Sequence, residues 1–189
     1  MRDPTEGPLV AALRRGEPAA FEVVYGRYRA RVYAFLRRLC RRGDVADDLF
    51  QETWLRLARH APRLRSDTDL RAWLFTVARN LWVSHRRWAD PRALGQVAMA
   101  AVDELPSPEG PADDRVEAAL RVARVERALA SLPGGSREVL LLVGVEGFGQ
   151  DEAAAILGVS HEALRQRLGR ARRQLASALE RNDPTEAIA

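Results

Sequence analysis

The chain has 189 residues, 47% hydrophobic and 30% charged, enough to bury the core of one domain or of two small ones. Its net charge is +4, from 30 basic residues, every one an arginine, against 26 acids. A single cysteine, Cys40, excludes an intrachain disulfide, and the longest strongly apolar run, Val139 to Val145, is too short to cross a bilayer.

The charge is unevenly spread. Residues 27–42 hold seven arginines and no acid, residues 63–92 seven arginines and three acids, and residues 103–117 six acids and one arginine. Basic blocks set apart from an acidic block are either ordinary solvated helix faces, the reading that charge alone favours, or two nucleic-acid-facing modules and a joining segment. The first twenty residues carry no apolar signal core, so a soluble cytoplasmic protein without direct membrane insertion is expected.

Glycine and proline gather at residues 4–18, 91–111 and 133–149, and the long stretches between them repeat with helical period. The expected fold is all-α, with two small helical domains joined by a flexible acidic linker. The expected boundaries are a flexible N-terminus over 1–14, a first domain over 15–92, a linker over 93–117, a second domain over 118–181 and a flexible tail over 182–189.

In the first domain, residues 18–41 read as one kinked helix or a helix pair. Residues 44–60 follow, with Asp44 placed to cap the start. Ala46, Leu49, Phe50, Thr53, Trp54 and Leu57 share one face, and Asp47, Asp48, Gln51 and Glu52 form an acidic face opposite. After the polar loop APRLRSDTD, residues 70–88 place Leu70, Leu74, Val77, Leu81 and Trp88 on a buried stripe, with Asn80, Ser84 and Arg87 on another. Trp82 and Trp88 lie near the basic end. There a tryptophan can pack between helices or stack on unpaired bases.

The second domain opens with an amphipathic helix over 115–131, broken by LPGGS. Ser136 is placed to cap a further helix whose core includes Val139, Leu140 and Val143. GFG at 147–149 is a turn. It has too few glycines, and no preceding strand, for a phosphate loop.

Residues 149–175 then carry the spacing of a helix-turn-helix. Ala154 is a small residue at the helix crossing, Gly158 lies in the turn, and Leu164 pins the second helix. At 3.6 residues per turn, Leu164, Leu168, Ala171 and Leu175 of that second helix fall together. Glu162, Gln166, Gly169 and Arg173 lie opposite, flanked by Arg165 and Arg170, while Arg167 falls nearer the buried side. Arginine and glutamine make the bidentate contacts that read guanine and adenine edges. Arg172 and Arg173 suit phosphates.

With these motifs in place, the chain resembles a bacterial RNA polymerase sigma factor of the extracytoplasmic-function group over nearly its whole length. DVADDLFQETWLRL is similar to the region 2 helix that binds the clamp helices of the polymerase β′ subunit. LRAWLFTVARNLWVSHRR is similar to the helix that reads and opens the minus-ten element. LASLPGGSREVLLLVGVEGFGQDEAAAILGVSHEALRQRLGRARRQL is similar to region 4, which reads the minus-thirty-five element. The resemblance implies core polymerase as partner, through the β′ clamp helices and the β flap, together with promoter DNA and an anti-sigma factor.

It further implies polymerase binding by Asp47, Asp48, Gln51 and Glu52. Minus-ten contacts fall to Arg65, Asn80, Ser84, Arg86 and Arg87, with loop 63–69 receiving a flipped base. Minus-thirty-five contacts fall to Arg165, Gln166, Arg170, Arg172 and Arg173. The chain departs from many relatives at Trp82, Ser84, Gly144, Ala163 and Gly169, so no promoter sequence carries over. The alternative is a stand-alone helix-turn-helix regulator, which leaves the acidic face and the tryptophan-rich helix unused. An enzyme is not expected, nor a cofactor: His60, His85, His161 and Cys40 are scattered without metal-ligand spacing.

Overall fold

The computed structural model describes residues 6–40, 42–89 and 112–181. Among these there is no strand, and eight α-helices hold most of the described residues. They are α1 (Glu6–Arg14), α2 (Pro18–Cys40), α3 (Gly43–His60), α4 (Leu70–Ala89), α5 (Ala112–Ser131), α6 (Gly134–Leu140), α7 (Gln150–Leu157) and α8 (His161–Arg181). A 3-10 turn, Ala61–Arg63, follows α3, and a π turn, Leu141–Val145, continues α6.

The first helical set packs α2, α3 and α4 around Val24, Val32, Phe35, Leu36, Leu57, Leu70, Leu74 and Phe75, all fully buried. Helix α2 is one continuous helix over Pro18–Cys40 and not a helix pair. Helix α1 was not expected at all. Residues 6–14 are ordered by burial of Val10 and Leu13 and by the Glu6 carboxylate. That carboxylate accepts the Tyr28 hydroxyl at 2.7 Å and the Leu70 amide at 3.4 Å, where α4 begins. An anion at a helix N-terminus meets unsatisfied amides and the positive end of the dipole. Burial, then the Glu6 contact, pushes the Tyr28 phenol up to about 12.

Two expected caps, Asp44 and Ser136, do not form. Helix α3 starts at Gly43 with Arg42 at its N-cap and no side-chain cap. Asp44 sits inside the first turn and pairs with Arg42 at 2.5 Å, which holds its carboxyl below the usual carboxylate range. Helix α4 is capped by Asp69, whose carboxylate accepts the Ala72 amide at 2.7 Å. Ser136 is not a cap, because α6 already begins at Gly134 after Pro133. The helical start of α5 at Ala112 likewise shortens the expected linker, which had run to 117.

The second set packs α5 to α8 around Leu132, Val139, Leu142, Ile156, Leu164, Leu168 and Ala171. Arg137 is buried inside it. Its guanidinium donates to the carbonyls of Leu129, Ala130 and Leu132 at 2.8–2.9 Å, which are the last carbonyls of α5 and the loop beyond. It also reaches Arg38 O at 3.1 Å and Leu39 O at 3.4 Å, at the end of α2. One cation thus serves two helix C-termini, where carbonyls lack intrahelical partners and the dipole is negative. The two helical sets are therefore in contact: α4 packs on α7 and α2 on α6.

Candidate nucleic-acid and polymerase interfaces

Helix α7 ends at Gly158 with φ 62° and ψ 40°, a left-handed conformation that glycine adopts without penalty. The chain turns there, and Ser160 caps α8 by accepting the Ala163 amide at 3.2 Å. Ala154 and Leu164 are buried where the two helices meet, as the helix-turn-helix spacing requires. Leu164, Leu168 and Ala171 face the core, with Leu175 packed against it. Glu162, Arg165, Gln166, Arg170, Arg172 and Arg173 are exposed, and Gly169 is half-buried between them. Arg167, expected nearer the buried side, is exposed as well.

Two side chains of this face are held by Glu162. Gln166 Nε2 donates to it at 3.2 Å, and Arg165 Nε lies 3.7 Å from it. The contacts are exposed and add little stability, so the same donors are free to turn towards base edges.

In the first set, Asn80, Ser84 and Arg87 are exposed at helical spacing along one face of α4. Arg65 stands in the loop before α4, paired with Asp67 at 2.9 Å. Arg86 does not join this face. At 100° per residue it falls on the other side of α4, where its guanidinium lies 4.8 Å from the centre of the Trp82 ring. Trp82 is buried. Trp88, expected on the buried stripe, is 90% exposed, because the last turn of α4 projects past the core it packs on. Val77 is half-buried.

The acidic face of α3 is also as spaced: Asp47, Asp48 and Gln51 are exposed and Glu52 half-buried. Asp47 accepts the Tyr33 hydroxyl at 2.9 Å, and Glu52 pairs with Arg56 at 3.1 Å. Beneath the face, Phe50 packs edge-on to Trp54 and Tyr33, and Trp54 edge-on to Phe21 and Tyr25. This aromatic layer makes a stiff base for a docking surface.

The sequence reading missed the residues that join the two sets: Arg31, Arg38, Arg71, Arg79, Glu126, Glu138, Glu146 and Phe148. Their partners lie 59 or more positions away in the chain. No local pattern marks them, save that a phenylalanine between two glycines is an odd occupant for an exposed turn.

The model for sigma-70 region 2 matches residues 24–91, and the model for sigma-70 region 4 matches residues 123–175. The RNA polymerase sigma factor CnrH of Cupriavidus metallidurans is 36% identical over 146 residues, 72% of this chain and 72% of its own. CarQ of Myxococcus xanthus, another RNA polymerase sigma factor, is 33% identical over 88% of this chain and 92% of its own. The ECF RNA polymerase sigma factor SigL of Mycobacterium tuberculosis is 32% identical over 90% of this chain and 95% of its own.

Among solved structures, CnrH in complex with the cytosolic domain of CnrY superposes with a TM-score of 0.69 at 28% identity. It covers 94% of this chain and 98% of that one. The sigma factor RpoE in complex with the anti-sigma factor NepR, from Bartonella quintana, gives 0.66 at 27% identity over 86% of this chain and 98% of that one. A helix-turn-helix protein of two all-helical modules is thus the class defined by the fold. The chain belongs to the sigma-70 family, as an RNA polymerase sigma factor of the ECF group. A stand-alone regulator would account for the region 4 match and leave the region 2 match unexplained.

Proposed function

We propose that this sigma factor works by binding alone, through three separate faces. The acidic face of α3 (Asp47, Asp48, Gln51, Glu52) docks on the clamp helices of the polymerase β′ subunit. The α4 face of Asn80, Ser84 and Arg87, with Arg65 in the loop before it, reads the minus-ten element and captures an unpaired base. Arg86 then contributes from the far side of α4, as a phosphate contact. Helix α8 reads the minus-thirty-five element with Arg165, Gln166 and Arg170, while Arg172 and Arg173 hold phosphates. The β flap holds the second module on the enzyme. The observation that carries this reading is the exposure of all three faces, each on the opposite side of its helix from the core.

Melting the minus-ten element is assisted because a base already leaving the stack is cheap to capture. The chemistry of transcription stays with the polymerase, and no cofactor is assigned. Both solved neighbours are seen with a protein bound, in one case an anti-sigma factor. By analogy an anti-sigma factor is assigned as a further partner here. No helix among the described residues is long and apolar enough to cross a membrane, and the assigned place of action is the cytoplasm, with the polymerase.

The test is Asp48→Arg. This side chain is exposed, so the variant should fold normally. It should lose at least tenfold in affinity for core polymerase, since a like charge set against a complementary surface costs several kcal/mol. A variant that still competes fully for core enzyme contradicts the docking assignment.

A further inference from the structure

Helix α1 packs on α2 and on the Ala61–Arg63 turn. It therefore lies beside both ends of residues 64–69, the loop before α4. At the near end, Ala61 and Leu64 are buried in the same core as Val10 and Leu13 of α1. At the far end, the Glu6 carboxylate accepts the amide of Leu70, the first residue of α4, at 3.4 Å. Between these anchors Arg65, Ser66 and Asp67 are exposed. The Thr68 amide closes a turn on the Arg65 carbonyl at 3.0 Å, and Arg65 pairs with Asp67 at 2.9 Å.

Glu6 is an unusual residue to bury. It is 4% exposed, and a carboxylate taken out of water loses hydration that its partners must replace. Those partners are neutral groups: the Tyr28 hydroxyl, which donates to Oε1 at 2.7 Å, and the Leu70 amide, which donates to Oε2. An apolar side chain would fill the same space with no such desolvation. What the carboxylate adds is direction. One oxygen is fixed by Tyr28 of α2, so the other stands at a set place over the open amides and positive end of α4. Asp69 supplies a second carboxylate to the same turn, through the Ala72 amide at 2.7 Å. The start of α4 is thus tied to α1 and α2 as well as capped by its own loop.

Selection of an unpaired base needs this kind of support. Affinity for the DNA as a whole rests on many phosphate contacts, whereas choice among four bases rests on a few donors and acceptors held in place before the base arrives. A loop with loose ends still accepts a base, but it gives way to fit the wrong ones. Selectivity is then lost before affinity is.

We propose that α1 is a brace for the base-capturing loop, and that Glu6 is a positioning residue for the choice of the unpaired base. Glu6 itself touches no DNA; it acts through Leu70 and the stems of the loop. The proposal rests on the assignment of base capture to this loop and the adjoining face of α4, and it adds a determinant from the far N-terminal end of the chain.

The test uses the full chain on core RNA polymerase with a library of fork-junction DNA whose single-stranded segment is random in sequence. Bound DNA is sequenced, and selectivity at each unpaired position is the ratio of the best base to the worst. Arg65→Ala and Asn80→Ala test the base-capture assignment and should flatten one unpaired position. Glu6→Ala should flatten the same position by about fivefold, the order expected when one ordinary hydrogen bond is lost from the selecting geometry. Tyr28→Phe, which releases Oε1, should flatten it by about twofold. Glu6→Gln keeps an acceptor oxygen and should fall between the wild type and Glu6→Ala. Binding to core enzyme and to the upstream duplex element should not change. Leu36→Ala is the stability control: it empties a buried site about two turns further along α2 than Tyr28. It should lower the melting temperature and leave the selectivity as it was. Hydrogen exchange of the amides at 65–69, measured well below both melting temperatures, should speed up in Glu6→Ala and not in Leu36→Ala.

Flattening by Arg65→Ala and Asn80→Ala without any by Glu6→Ala overturns the brace and leaves the base-capture assignment standing. If neither Arg65→Ala nor Asn80→Ala alters any unpaired position, both fall together. Equal flattening by Leu36→Ala at an equal loss of melting temperature makes Glu6 a stabilising residue only and overturns the positioning role. Should Glu6→Ala fail to fold, the near-isosteric Glu6→Gln and Tyr28→Phe carry the same comparison, and full selectivity in both overturns the proposal.

Discussion

Arg137→Met replaces the guanidinium that serves the ends of α5 and α2 with an apolar chain of similar length. The three contacts at 2.8–2.9 Å to Leu129, Ala130 and Leu132 carry most of the effect. Hydrogen bonds to charged groups contribute roughly 1.5–3 kcal/mol each, so the gross loss is on the order of 5–9 kcal/mol. Against this, the variant no longer has to desolvate a cation, a saving of several kcal/mol. The net loss should be about 2–5 kcal/mol, and at about 2–4 °C per kcal/mol for a chain of this size the melting temperature should drop by roughly 5–15 °C. Arg137→Lys should fall between the two, because one ammonium cannot reach all of the carbonyls. Scanning calorimetry with parallel circular dichroism measures both variants. If Arg137→Met melts within about 2 °C of the wild type, the carbonyls do not depend on this side chain and the reasoning from helix ends fails.

Arg165→Ala removes an exposed donor held within the fold by a loose pair with Glu162 at 3.7 Å. It should leave folding unchanged and relax discrimination at one upstream base pair by about 1–3 kcal/mol; unaltered discrimination between upstream variants rejects its assignment. Gly158→Ala places a methyl where nothing lies within 4 Å, so its penalty is that of the backbone alone at φ 62°. The expected loss is about 1–2 kcal/mol, read as a lower urea midpoint with DNA recognition intact, and an unmoved midpoint contradicts it. Burial pushes the Cys40 thiol up to about 12, against the opposing pull of Arg37 and Arg137. A thiol held protonated in the fold contributes stability that is present below its ordinary value of 9.0 and is lost as pH rises from there towards 12. Alkylation at pH 8 should therefore be far slower in the native chain than in urea, and equal rates refute the burial argument.

The sequence reading recovered what a single helix shows by its own period. The alternation of Leu164, Leu168 and Ala171 with Arg165, Gln166 and Arg170 placed the core side and the outer side of α8 without any partner in view. The same logic placed Asn80 against Leu81, and Asp47 against Ala46. It failed where the deciding partner is distant or is missing. Glu6 and Val10 order α1 only because Tyr28 and Leu70 lie across from them, 22 and 64 residues on from Glu6. Trp88 has the spacing of a core residue, yet α4 outruns its neighbours, and nothing local to residues 84–88 reveals that. Arg137 reads as an ordinary surface arginine in the first turns of a helix. Its burial follows from two helix ends that meet only in the folded chain. The glutamates over α2 and α4 belong to the same class, each paired with an arginine from the other module.

The central claim, that this chain directs a core polymerase to promoters, is tested most directly by transcription in a purified system. The full chain is mixed with bacterial core RNA polymerase and a library of random upstream sequences, and the transcripts are sequenced. Defined start sites sharing two spaced upstream elements, absent with core enzyme alone, are the predicted result. Tight duplex binding by the chain alone, with no transcript that depends on its presence, would contradict it.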